Sequence, residues 1–231
     1  MSGPHQTATS NIGTTLSLEL RGVDQGPVVD GVEHLHLQTD AGLISCRYHE
    51  AAEGDAAVVW LSGAGGGLDG PAHGLYPRLA GRLVGEGISS LRFDYRHPTF
   101  LETCVLDTLL SIVYLGTRGQ RRIALVGHSF GGAVAITTGA LSDAVSAVAA
   151  LSSQTYGTES VAELSPRPLL LIHGADDEVL PDACARDLYQ RANEPRSLLI
   201  YPECGHGLDA CRDRVDHDLM VWLRRALAPL L

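Results

Sequence analysis

Apolar and polar residues alternate along the first part of this chain. Residues 15–22 (TLSLELRG) and 32–39 (VEHLHLQT) place apolar side chains at every second position, with Leu35 and Leu37 opposite His34, His36 and Gln38. A period of two predicts strands with one face toward a core and one toward water. Residues 42–50 follow an Asp-Ala-Gly turn, so the three segments read as antiparallel strands joined by short turns. Near residue 57 the pattern changes. AVVWLS (57–62) is continuously apolar, as a strand covered on both faces must be. From there apolar strands at 88–95, 123–127, 145–152, 168–174 and 197–202 alternate with helical segments. Tyr76, Leu79, Ala80 and Leu83 recur at helical spacing, as do Val215, Leu219, Trp222, Leu223, Ala226 and Leu227 near the end. Strand–helix alternation predicts an α/β fold with a mostly parallel central sheet of about eight strands flanked by helices. Sites in such sheets form at the C-terminal ends of the strands.

Composition narrows the function classes. The chain has 231 residues, 45% of them hydrophobic and 19% charged, which suits one globular domain over 15–231 behind a polar, disordered segment 1–14. That segment has no basic stretch followed by an apolar run, so it does not read as a signal peptide. No apolar run is long enough to span a bilayer, so no membrane partner is expected. The net charge of −10 disfavours nucleic acid and anionic lipid. All 17 basic residues are arginine, which removes lysine Schiff bases, a pyridoxal-phosphate anchor and a Walker lysine. The five cysteines are odd in number and none shows CxxC spacing, so reduced thiols in a cytoplasmic protein are expected.

Three strand ends carry the candidate chemistry. Gly127-His128-Ser129-Phe130-Gly131 is a G-x-S-x-G segment between an apolar strand and a helix. In that context the turn lifts the serine clear of the sheet, at a helix N-terminus that favours a developing anion. The strand 168–174 ends in His173-Gly174-Ala175-Asp176-Asp177, where either aspartate can reach a histidine across the sheet edge. The last strand ends in Gly205-His206-Gly207. Ser, Asp and His thus occur in the chain order of a nucleophile, an orienting acid and a base.

These segments resemble the α/β-hydrolase superfamily, and within it the small, lidless dienelactone-hydrolase-like members, from about residue 30 to the end. The family places its acid three residues after the glycine of an H-G-x-x-D segment, which implies Asp177 rather than Asp176. The resemblance implies Ser129 as nucleophile, His206 as base, and the N–H groups of Phe130 and Ala64 as the oxyanion hole, with Gly65 the alternative to Ala64. Two positions depart from the family pattern. Dienelactone hydrolases themselves carry a cysteine where this chain has Ser129, and Ser62 replaces the histidine of the family's H-G loop.

The expectation is therefore a serine hydrolase cleaving a small ester or thioester through an acyl-enzyme, without cofactor or metal. An acyltransferase, lyase or peptidase using the same three residues, or an idle binding protein on this fold, are the alternatives. Only SSQTYGTESVAELSP separates two strands where relatives insert a lid, so the site should be shallow, with Gly65, Leu68, Tyr95, Tyr156 and Leu208 as its walls. His34 and His36 read as surface histidines, and Cys204-Gly205-His206 lacks the further ligands of a metal site.

Overall fold

Strand β5 (Ala56–Leu61) is buried at every position in the computed structural model, which describes residues 6–12 and 14–229. It lies inside a ten-stranded mixed sheet. The first four strands are β1 (Gln6–Ile12), β2 (Thr14–Val29), β3 (Val32–Thr39) and β4 (Gly42–His49). They form an antiparallel meander that joins β6 (Ile88–Phe93) antiparallel. From β6 onward all pairings are parallel, through β5, β7 (Arg122–His128), β8 (Val145–Leu151), β9 (Leu169–Gly174) and β10 (Arg196–Tyr201).

Helices cover both faces, as parallel strands require. Helices α1 (Pro71–Val84) and α5 (Arg212–Ala226) enclose one core around Trp60, Val126 and Ile172. Helices α2 (Leu101–Thr117), α3 (Phe130–Leu141) and α4 (Ala183–Arg191) enclose the other, around Leu61, Leu125 and Leu171. Alternate residues of each strand feed the two cores. Asp216, in the first turns of α5, is buried in a two-pronged ion pair with Arg78 of α1, at 2.7 and 2.8 Å.

The N-terminal expectation needs correction. Of residues 1–14, residues 1–5 and 13 lie outside the described residues, but Gln6–Ile12 form β1, paired antiparallel with β2. Ala8 and its register partner Leu18 are both buried, so a backbone hairpin with little apolar patterning has been recruited to the sheet. This strand is one reason the sheet has ten strands rather than about eight.

Candidate active site

Gly127 and Gly131 decide how Ser129 is presented. A Cβ on Gly127 would stand 2.0 Å from the carbonyl oxygen of Gly131, and one on Gly131 would stand 2.4 Å from those of Leu61 and Ser62. Strand β7 and helix α3 can meet this tightly only through glycine. Between them Ser129 takes φ 56° and ψ −121°, a conformation that costs a non-glycine residue on the order of 1–3 kcal/mol. Its N–H is fixed to the Leu151 carbonyl at 2.8 Å. Gly127→Ala should therefore destabilise the fold by at least about 4 kcal/mol, because backbone rather than a flexible side chain must move. A thermal melt should show a fall in Tm on the order of 10 °C.

The three expected residues meet at this edge. Ser129 Oγ lies 3.1 Å from His206 Nε2, and His206 Nδ1 lies 2.8 Å from Asp177 Oδ2. With Nδ1–H donated to the carboxylate, Nε2 is left as the acceptor for the serine hydroxyl. The Asp177 side chain is fully buried, yet both its oxygens are satisfied. Oδ1 accepts the N–H groups of Val179 and Leu180 at 2.9 and 2.8 Å. Burial pushes this carboxyl up, but the Leu180 N–H, His206 and the Val179 N–H outweigh it and hold the group below its ordinary value. Asp176 sits alongside and exposed, its N–H donated to the Cys204 carbonyl at 3.0 Å.

Two further histidines join the network. Read from strand alternation, His128 and His173 point elsewhere, as packing or hydrogen-bonding residues. His173, fully buried, directs Nε2 at the Leu180 carbonyl (2.9 Å) and at Asp177 Oδ2 (3.1 Å). His128 donates Nε2–H to the carbonyl of His206 at 2.9 Å, and the two rings lie 4.9 Å apart. Burial pushes the His128 pKa down to about 4, against the raising effect of that bond, so this ring is neutral.

The loop that carries His206 is tied down on every side. Helix α1 opens with Ala72, His73 and Gly74 in left-handed conformation, and this turns two N–H groups toward the loop. Ala72 donates to the Gly207 carbonyl at 2.7 Å, and His73 to the Asp209 carboxylate at 3.0 Å. A disulfide joins Cys204 to Cys211 across His206, which corrects the expectation of five free thiols. The chain doubles back within seven residues to bring the two Cα atoms to 5.8 Å, a return that spacing alone does not reveal. Cys46, Cys104 and Cys184 are free.

A cleft of about 410 Å³ opens over Ser129 and His206, lined by Ser62, Gly63, Ala64, Gly65, Gly66, Gly70, Pro71, His128 and Val179. Among the described residues, the N–H groups of Phe130, Ala64 and Gly65 have no protein acceptor. The loop that presents the latter two is braced from beneath. Asp94 accepts the Gly67 N–H at 2.8 Å, Arg92 donates to the Leu68 carbonyl at 3.1 Å, and the Tyr76 hydroxyl donates to the Leu61 carbonyl at 2.7 Å.

Of the expected walls, only Gly65 lines this cleft. Leu68 is half-buried beside it. Tyr95 is buried between the rings of Phe93 and Phe130, at 5.3 and 6.4 Å. Leu208 is fully buried in the core under α5, and Tyr156 is exposed on the loop after β8. Val179 takes part in the wall instead, 61% exposed. Among the described residues no group of three or more His, Cys, Asp or Glu is arranged to hold a metal, and no helix is long and apolar enough to cross a membrane.

Comparison with known proteins matches the dienelactone hydrolase family over residues 90–219. The uncharacterized protein YfhR of Escherichia coli K12 is 43% identical over 65 residues, 28% of this chain and 22% of that protein, so the match spans about a fifth of the relative. Dienelactone hydrolase from Anabaena variabilis superposes with a TM-score of 0.73 at 15% identity, over 85% of this chain and 99% of that one. XC6422 from Xanthomonas campestris, described as an α/β serine hydrolase without a lid, gives 0.68 at 17% identity, over 89% and 100%. Est1E from Butyrivibrio proteoclasticus gives 0.70 at 16% identity, over 90% and 100%. At these identities the structures establish a shared α/β-hydrolase fold.

Proposed function

This chain belongs to the dienelactone hydrolase family, and from that premise we propose that it is a serine hydrolase cleaving a small ester or thioester through an acyl-enzyme on Ser129. The observation that carries the reading is the unbroken relay from Ser129 Oγ through His206 to Asp177, at 3.1 and 2.8 Å. A serine hydroxyl is a weak nucleophile at neutral pH and needs an adjacent base. His206 Nε2 takes the proton as Oγ attacks the carbonyl carbon. Asp177 holds the imidazole in the tautomer this requires and stabilises the imidazolium formed. The tetrahedral oxyanion falls to the N–H groups of Phe130 and Ala64, each such donor being worth roughly 100–1000-fold in rate. His206 then protonates the leaving oxygen or sulfur. Water, deprotonated by the same base, releases the acid.

The test is labelling with a fluorophosphonate, followed by intact mass and peptide mapping. One adduct on the peptide containing Ser129, with turnover of p-nitrophenyl acetate, supports the reading. A folded protein that takes no adduct sinks it. His173 gives a finer check, because its Nε2–H is donated to the Leu180 carbonyl at 2.9 Å and so braces the turn whose N–H groups hold Asp177. Removing one partner of a buried hydrogen bond and leaving the other unpaired costs about 1–3 kcal/mol. His173→Leu should therefore lower kcat/KM by roughly 10–100-fold, with circular dichroism confirming the fold.

A further inference from the structure

We propose that His128 determines specificity on the leaving-group side of the cleft, its Nδ1 accepting a hydrogen bond from a hydroxyl on the alcohol half of a neutral ester. The inference rests on the serine-hydrolase reading and names the substrate class for it.

The argument begins with the tautomer. His128 Nε2 lies 2.9 Å from the backbone carbonyl of His206. A carbonyl oxygen can only accept, so Nε2 carries the hydrogen. A neutral imidazole has a single N–H, which leaves Nδ1 a bare acceptor. Burial keeps the ring neutral at any pH where an esterase works, since its pKa is pushed down to about 4. Nδ1 takes no hydrogen bond from any described residue, and His128 lines the cleft.

Position then says which part of the substrate it meets. A Cβ built on Gly63 would stand 3.5 Å from Ser129 Cβ and 3.7 Å from His128 Nδ1. His128 Nδ1 and the Ser129 Cβ that carries the nucleophile therefore border the same small space beside Gly63. The His128 ring also leans on the His206 ring, 4.9 Å between centroids. His206 must protonate the leaving oxygen, so that oxygen sits beside the His206 ring. An acceptor immediately next to it meets the group three bonds further along the alcohol, where the oxygen of a vicinal hydroxyl would be. Ser62, in the same wall, has a buried hydroxyl with no partner among the described residues.

Charge sets the rest of the class. Among the described residues no Asp, Glu or Arg lines the cleft. The preferred leaving group is thus a neutral, hydroxylated alcohol, such as a diol or triol. A cleft that holds a hydrogen-bond acceptor discriminates against an analogue that leaves it unpaired.

The experiment compares 2-hydroxyethyl butyrate with propyl butyrate, which replaces the hydroxyl by a methyl group. The wild type should favour the hydroxyethyl ester in kcat/KM by about tenfold, the effect of one hydrogen bond. His128→Phe removes the acceptor and also the tether to His206, so both rates fall. The readout is their ratio, which should collapse to about one. A wild-type ratio under about twofold, or a full ratio persisting in His128→Phe, overturns the assignment. The wild-type ratio decides alone if the variant does not fold. Fluorophosphonate labelling separates the two levels. An adduct on Ser129 with equal cleavage of both esters removes only the role of His128. No adduct and no cleavage of either ester removes the serine-hydrolase reading and this inference with it.

Discussion

Ser129→Ala is expected to lower kcat on p-nitrophenyl acetate by about a millionfold and to abolish the fluorophosphonate adduct. The size follows from what the alanine removes. Without Oγ no covalent intermediate can form, and His206 is left without a proton to take. The N–H groups of Phe130 and Ala64 would remain in place, as would the cleft. A residual acceleration of roughly 1000-fold over water should therefore survive. Residues that act as one unit are strongly non-additive. Adding His206→Ala to Ser129→Ala should therefore change kcat by less than about tenfold. If the two losses instead multiplied, His206 would be acting somewhere other than on Ser129. The fold should tolerate the change well. Relief of the Ser129 conformation is not at issue, since alanine inherits the same φ of 56°. An unaltered melt would show that the lost rate reports chemistry rather than unfolding.

Much of this arrangement was legible from residue patterns because each part is dictated locally. A continuous apolar run as short as Ala56–Leu61, followed by a Gly-rich turn, reads as a strand covered on both faces, and all of that strand is buried. Gly127 and Gly131 are readable because two backbones pass where no side chain fits. The position of Tyr95 was also available in the pattern. It continues the alternation of Leu91 and Phe93, whose side chains face the core, so its place is the core rather than the cleft. Leu208 follows His206 by two residues, but the tight turn at this loop directs it into the core beneath α5. Other features depend on where distant segments return, and no local pattern carries that. The disulfide forms because the His206 loop doubles back. His173 reaches Asp177 because the chain reverses after Gly174 and folds the carboxylate back over its own strand. β1 joins the sheet through backbone pairing with β2, which polar residues such as Thr7 and Thr9 serve as well as apolar ones.

Asp177→Asn should lower kcat/KM by about four orders of magnitude, the second large effect. The carboxylate now accepts three hydrogen bonds, from the N–H groups of Val179 and Leu180 and from His206 Nδ1, while His173 Nε2 lies 3.1 Å from its Oδ2. An asparagine amide offers one oxygen and one NH2 group. If its oxygen keeps the Val179 and Leu180 donors, its NH2 faces His206 Nδ1 and His173 Nε2. His206 would then have to present Nδ1 as an acceptor, which moves its hydrogen to Nε2. A hydrogen on Nε2 points at Ser129 Oγ and cannot remove the serine proton. The flipped amide would instead turn its NH2 against two backbone N–H donors, leaving the part-buried Leu180 N–H unpaired at a cost of about 1–3 kcal/mol. Either way the base is lost or the loop is destabilised. Asp176→Asn is the control, because Asp176 is exposed and contributes its backbone N–H, not its carboxylate, to this edge. It should change kcat/KM by less than about threefold. Comparable losses in the two variants would mean that the adjacent aspartates share the role. A loss confined to Asp176→Asn would exchange them, and the relay from Ser129 would have to be redrawn.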